Sequence, residues 1–354
     1  MKIICKIMSV FVLVAGISAC TENVKKSEPL KVFRVGCRGV TNALVLYTKY
    51  ENLFTKNGIK AKVEYVVSDN GNTIIELFLS NRIDVAELGD QPAVTGWLKG
   101  VDVKAVANLP VSPQDTWLMV ADSQKIKTIQ DLRGKKVGVN IGRVNQHWLF
   151  LALRQAGMKV TDVKSVNIPN GDALAALAAK EIDASVFSEP TISLLQERRI
   201  ASKLKGSHCV KAYSSVVLVS GDIYRNHPEV IKPIIATYHE ANSWVIHNTD
   251  KVVDLIKSQL TYKELPKDIL TRQYGRNLSK SEYLGINDSV VVSYTQIVDF
   301  LKELKAIPQQ GTLADSIQKF YDSRFVDEYY RDEAKLNNTT VAALIKKETS
   351  KILK

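Results

Sequence analysis

Asn70-Gly71-Asn-Thr-Ile-Ile-Glu-Leu-Phe-Leu-Ser-Asn-Arg-Ile83-Asp84-Val85-Ala86-Glu-Leu-Gly89-Asp90-Gln91-Pro92 returns about a hundred residues later as Asn170-Gly171-Asp172-Ala-Leu-Ala-Ala-Leu-Ala-Ala-Lys-Glu-Ile182-Asp183-Ala184-Ser-Val-Phe-Ser188-Glu189-Pro190. Each copy reads as an amphipathic helix, an Ile-Asp turn, a short apolar strand, and a polar loop closed by Pro at the start of the next helix. A phrase used twice predicts two similarly built lobes. Ligands of open α/β sheets bind beyond the carboxyl ends of the strands, which makes Leu88-Gly89-Asp90-Gln91 and Phe187-Ser188-Glu189 the expected walls of a cleft between them.

Working outward, the segments around each copy alternate strands and helices. Strands are expected at 31–36, 61–67, 85–88, 103–109 and 116–121, with a single helix over 41–57, where Ala43, Leu46, Tyr47, Tyr50, Leu53 and Phe54 share one face before Gly58. A second series has strands at 137–140 and 163–168 around a helix over 144–156. The strand at 215–220 reads as the return to the first lobe, and the remainder is rich in helix. This βαβ order implies largely parallel α/β sheets. The expected division is 31–121 for the first lobe, 122–218 for the second, and 219–354 for the return and C-terminal helices, with the first crossover near 120–123.

The amino terminus carries a different kind of signal. Lys2 and Lys6 flank the apolar run Ile7 to Ile17, which ends in Ser18-Ala19-Cys20. Its length of about 11 residues falls short of the ~20 that span a membrane, and the pattern is that of an export signal over residues 1–19. The small residues before Cys20 resemble the lipobox of bacterial lipoproteins, which implies lipidation at Cys20, with 20–30 as anchor and tether. Removing the leader takes two lysines from a net charge of +11. The remaining Lys and Arg are scattered in sequence and lack a dense basic stripe interleaved with aromatics, which argues against nucleic-acid binding. Of four cysteines, Cys5 leaves with the leader and Cys20 takes lipid. Cys37 and Cys209 are expected as free thiols, because a bridge between lobes would oppose closure.

Four loops should converge on the cleft: 36–40, 88–92, 140–147 and 187–190. Each precedes a helix, so backbone N–H groups and positive helix ends point into one space, which suits an anion. Arg38 and Arg143 supply guanidinium donors, and Gly39, Gly89 and Gly142 admit close backbone approach. Asp90, Gln91, Asn145, His147, Ser188 and Glu189 complete the candidate ligand-binding set, with capping the competing role for Asp90 and local packing for His147. No second His or Cys stands at a metal-ligand spacing, so neither a metal nor a cofactor is assigned. Cys37 opposite Asp90, Glu189 or His147 is the one candidate nucleophile, in no catalytic order that would mark an enzyme.

At this point the loops resemble a family. Leu132-Arg-Gly134-Lys-Lys-Val137-Gly138-Val139-Asn140, followed by Gly142 and His147, is similar to a segment of the sulfonate-, taurine- and nitrate-type solute-binding proteins of ABC importers. Ile83-Asp84-Val85, Gly89-Asp90-Gln91-Pro92, Ile182-Asp183-Ala184 and Glu189-Pro190 resemble two further cleft loops, and Ser323-Arg324-Phe325-Val326 a C-terminal phrase of taurine-type members. The likeness runs from about Val32 to Val326. It implies a type II periplasmic-binding-protein fold, two α/β lobes joined by two crossovers around a cleft that closes by hinge bending. It further implies an exported, monomeric, lipid-anchored receptor at the cell envelope that hands a small anionic or zwitterionic solute, such as an aliphatic sulfonate, to a permease and its ATPase. Departures from the family pattern are Gly142-Arg143-Val144, which exchanges a hydroxyl for a guanidinium, Phe187-Ser188-Glu189, and Cys37-Arg38. Asp90 and Glu189 would repel an anion unless they face a cationic group, which a zwitterionic aminosulfonate supplies. A thiamin-like pyrimidine is the alternative cargo, either for a receptor or for an enzyme of the same fold with Cys37 as nucleophile.

Overall fold

A computed structural model describes residues 28–38, 42–68, 71–110, 116–122, 125–204, 214–259, 263–277, 282–286, 288–307 and 313–350. Cys5, Cys20, Cys209, Gly39 and the rest of the amino-terminal leader lie outside the described residues.

The strands are β1 (Val32–Arg38), β2 (Lys62–Ser68), β3 (Val85–Gly89), β4 (Val103–Pro110), β5 (Thr116–Ala121), β6 (Lys136–Val139), β7 (Lys164–Asn167), β8 (Ala184–Ser188), β9 (Ala201–Lys203) and β10 (Ser214–Ser220). They form two five-stranded sheets, ordered β2-β1-β3-β10-β4 and β7-β6-β8-β5-β9. Each sheet is mixed, with a parallel core and one strand running against it, β10 in the first and β5 in the second. Helices α1 (Ala43–Tyr50), α2 (Leu53–Lys56), α3 (Gly71–Leu79) and α4 (Asp90–Leu98) belong to the first lobe, and α5 (Val144–Gln155), α6 (Asn170–Ala178) and α7 (Thr191–Glu197) to the second. After β10 come α8 (Gly221–Asn226), α9 (Ile231–His247), α10 (Thr249–Lys257), α11 (Lys267–Asn277), α12 (Asp288–Glu303), α13 (Leu313–Phe320), α14 (Arg324–Leu336) and α15 (Val341–Ser350).

The repeated phrase performs the same work in both sheets. Asp84 Oδ2 accepts from the Arg34 amide at 2.6 Å and Asp183 Oδ2 from the Lys136 amide at 2.8 Å, so each Asp anchors the start of a neighbouring strand. Two residues further along those strands stand Gly36 and Gly138. A methyl on either would lie 2.7 Å from the Cδ1 of Ile83 or Ile182, the isoleucine of the Ile-Asp turn. The isoleucine fills the space that a side chain would need, and glycine is the residue that allows it.

Three expectations need correction. Thr116–Ala121 pairs with β8 and β9, which puts β5 in the second sheet rather than the first, and the chain crosses between Pro110 and Thr116 rather than near 120–123. The return likewise precedes Ser214, because all of β10 lies in the first sheet between β3 and β4. The helix expected over 41–57 breaks at Asn52, which takes a left-handed conformation (φ 53°) between α1 and α2. Asn tolerates that region, and the break still buries Leu53 and Phe54.

The lobes share packing. Phe150 of α5 belongs to the same buried cluster as Tyr294 and Phe300 of α12 and Phe320 of α13, so a second-lobe helix is seated in the core of the first lobe. Among the described residues no helix is long and apolar enough to cross a membrane.

Candidate functional site

The strand ends and helix starts meet where the sequence places a cleft. Gly89 closes β3 and caps α4 in extended conformation, and a methyl on it would lie 3.0 Å from Val144 Cγ2, the first residue of α5. Gly142, at φ +78°, turns the chain between β6 and α5, and its Cα faces Asn72 of α3, whose Nδ2 would stand 3.3 Å from an added methyl. The amino ends of α4 and α5, one from each lobe, therefore face one another at van der Waals range. Their aligned peptide dipoles place partial positive charge on both sides of the gap.

The turn before α5 is rigid by its own bonds. Gly142 N–H donates to Gln146 Oε1 at 2.9 Å, and Ile141 N–H to Asn167 Oδ1 at 3.2 Å at the end of β7. Arg143 caps α5 with extended backbone and a half-buried side chain. Asn145 is buried and donates to the Val186 carbonyl at 2.8 Å, tying the first turn of α5 to β8. On the facing loop, Ser188 Oγ lies 3.0 Å from Thr116 Oγ1 of β5, and Glu189 Oε2 accepts from Ser193 N–H at 3.0 Å, so Glu189 caps α7. Arg38 ends β1 beside Ser68 in register. Its side chain and Gly39 lie outside the described residues.

Two of the expected ligand contacts turn inward. Asp90 is fully buried, and its carboxylate accepts from Gln91 N–H at 2.8 Å and from Ser293 Oγ of α12 at 2.9 Å. It is the first residue of α4, behind the Gly89 cap, and its carboxylate ties that turn to α12. His147 is also buried, with its ring 5.3 Å from that of Phe300 and 6.4 Å from that of Phe150. Burial pulls its pKa down to about 4, against a backbone hydrogen bond with Gln296 that works the other way, so the imidazole is neutral. Its Nε2 and the Oε1 of Gln91, 1% exposed, are buried without a hydrogen-bond partner.

Cys37 is 3% exposed and its thiol donates to the Val35 carbonyl at 3.6 Å. Burial, with a smaller contribution from Glu87, pushes its pKa up to about 12 despite nearby Lys49. A thiol so held carries very little thiolate near neutral pH, the form that a nucleophile requires. Sequence reading missed Glu87 and Asn42. Glu87 is buried in β3 and accepts from Asn42 Nδ2 at 2.7 Å, while Asn42 Oδ1 accepts from Leu44 N–H and caps α1. An acid inside the apolar run 85–88 was the available signal. Among the described residues no cluster of three or more His, Cys, Asp or Glu could hold a metal.

Comparison with known proteins places this geometry. The family described as NMT1/THI5 like matches residues 41–252. A protein of Escherichia coli K12 whose name assigns it to aliphatic sulfonate binding is 24% identical over 301 residues, 85% of this chain and 93% of that one. The alkanesulfonate-binding protein SsuA of Xanthomonas axonopodis pv. citri, solved with MOPS, superposes with a TM-score of 0.71 at 18% identity, covering 82% of this chain and 99% of the other. The desulfurization enzyme DszB has the same fold, with a TM-score of 0.60 at 15% identity over 86% of this chain and 99% of its own. The architecture is the periplasmic-binding-protein fold.

Proposed function

Because the chain belongs to the NMT1/THI5-like family, we propose that it is an extracytoplasmic receptor of an ABC importer. On this reading it encloses a small sulfonate-like anion or zwitterion between its two lobes and presents the closed form to a permease and its ATPase. The observation that carries the reading is the opposed pair of helix amino ends, α4 from the first lobe and α5 from the second, meeting at Gly89 and Val144. Oxyanions are stabilised by such ends through peptide N–H groups and aligned dipoles. Arg143 at the cap of α5 is the side chain assigned to the anionic group, with Arg38, Gly39, Gly142 and Ser188 as the further proposed contacts. Cys20 is the proposed lipid attachment, which fits the leader before it and holds the receptor outside the membrane.

The enzyme of the same fold gives a second reading, catalysis through Cys37. The buried, protonated thiol argues against it. Two measurements on the wild type and Cys37→Ser separate the two readings: thermal unfolding against alkanesulfonates, taurine, nitrate, bicarbonate, thiamin and pyrimidines, and an assay for conversion of the same compounds. A receptor gains several degrees with one solute class, by mass action, in both proteins. Turnover that is lost in Cys37→Ser would overturn the receptor reading.

A further inference from the structure

Lysines scattered in the sequence are gathered by the fold at one end of the second lobe. Lys136 and Lys164 begin adjacent parallel strands and are direct register partners, at the end of the sheet opposite the cleft. Lys164 N–H donates to the Lys135 carbonyl at 2.8 Å, and Gly134 N–H to the Asp162 carbonyl at 2.7 Å, which brings the turns before β6 and β7 together. Lys159 lies in the second of these turns. The 3-10 turn Ile129–Leu132 is tied to the end of α5 by Gln130 Nε2 on the Ala156 carbonyl at 3.2 Å, and it adds Lys125 and Lys127 to the same end. Five of the six lysines are exposed and Lys135 is half-buried.

The neighbouring carboxylates bind backbone amides and one arginine rather than the lysine ammonium groups. Asp131 accepts from the amides of Lys127 and Thr128, both at 2.9 Å, Asp162 from the amide of Lys159 at 3.0 Å and from Arg133 at 2.9 Å, and Asp183 from the amide of Lys136. Among the described residues none of the six ammonium groups reaches an ion pair. At the corresponding end of the first lobe Lys62 pairs with Glu64, Arg225 with Asp102 and Arg34 with Asp84, while Lys31, Lys60 and Lys99 are exposed there as well. Like charges side by side on neighbouring strands are unfavourable in isolation. A surface dense in negative charge would relieve that repulsion.

We propose that this lysine end of the second lobe is a docking surface for an anionic phospholipid membrane. Lysine suits such a partner, because a flexible, strongly hydrated point charge matches many headgroup phosphates without demanding a fixed geometry. The six lack the interleaved aromatics on which unpaired bases stack, which sets nucleic acid aside. Since the lysines begin the strands whose far ends face the cleft, a molecule resting on this end holds its cleft away from the bilayer. The proposal is independent of which solute the cleft takes.

The test is residue-resolved. The full chain is mixed with vesicles of phosphatidylcholine alone, or of phosphatidylcholine with phosphatidylglycerol, and lysine acylation is followed by peptide mass spectrometry. On the anionic vesicles, Lys136, Lys159 and Lys164 should react about tenfold more slowly at low salt, with the protection lost at high salt, while Lys62 and Lys99 in the first lobe keep their rates. Because the readout is local, attachment through the amino terminus, common to both vesicles, does not mask it. In Lys136→Gln/Lys164→Gln, with unchanged thermal midpoint, the protection of Lys159 should fall. Equal rates on the two vesicles, or protection by duplex DNA alone, overturn the proposal.

Discussion

His147 stands on a second-lobe helix with its ring against Phe300 of the first lobe. Charging it there would bury a cation without a counter-ion, which is why its pKa sits near 4 rather than 6.5. The sign follows from that depression. The contribution of the neutral ring is intact above about pH 6.5 and is lost as the pH falls from there toward 4, by about 2 kcal/mol at pH 5. Comparing thermal midpoints at pH 7.5 and 5 for wild type and His147→Leu should show this part of the acid sensitivity disappearing in the variant; an equal loss in both would place the sensitivity elsewhere. Cys37 gives a second expectation: a thiol reagent at pH 8 should modify it only as the protein unfolds. The sequence marks both residues as chemically interesting, because each stands in a loop or first turn near the cleft. It does not tell which way they face, since that depends on distant elements, α12 against His147 and α9 in the cluster that buries Cys37.

At the scale of elements, the repeated phrase was legible because its parts are local: helix, Ile-Asp turn and strand follow one another within some twenty residues. Its packing partner was not, since Gly36 and Gly138 precede their isoleucines by more than forty residues. Gly36→Ala and Gly138→Ala should each destabilise by about 1–3 kcal/mol in urea unfolding, as the added methyl presses on an isoleucine in a filled layer. A neutral result at either would mean that the isoleucine has room to move. The sheet membership of β5 escaped for a related reason. The apolar run at 116–121 identifies a strand, but its neighbours β8 and β9 arrive much later in the chain, and β9 is too short to announce itself. The tie between α4 and α12 can be tested through Ser293→Ala, which removes a hydrogen bond to the buried Asp90 carboxylate and should cost about 1.5–3 kcal/mol.

Over the whole molecule, two contacts between the lobes lie apart from the facing ends of α4 and α5 among the described residues. One is the aromatic seat of α5 on α12. The other is an ion pair from Arg272 of α11 to Glu197 of α7, with Asp268 also on Arg272 at 3.0 Å. This second contact is partly exposed, so its worth is at most about 1 kcal/mol and it is screened by salt. Arg272→Ala should enlarge the radius of gyration from small-angle scattering at low salt and leave it unchanged at high salt; an effect independent of salt would mean that packing rather than charge holds that side. The two-lobed plan was readable from the repeat, whereas these contacts were not, because both involve the helix-rich C-terminal third, which has no counterpart in the repeated unit.

The seat of Phe150 bears on how such a molecule can be recombined. By chain, α5 belongs to the second lobe; by packing, its aromatic face belongs to the first. The chain crossings and the seam between the halves therefore fall in different places. A chimera that exchanges the second lobe at its two crossings would import a ring shaped for one α12 and set it against another. Exchange of this kind succeeds only when the lobe travels together with the helix that receives it.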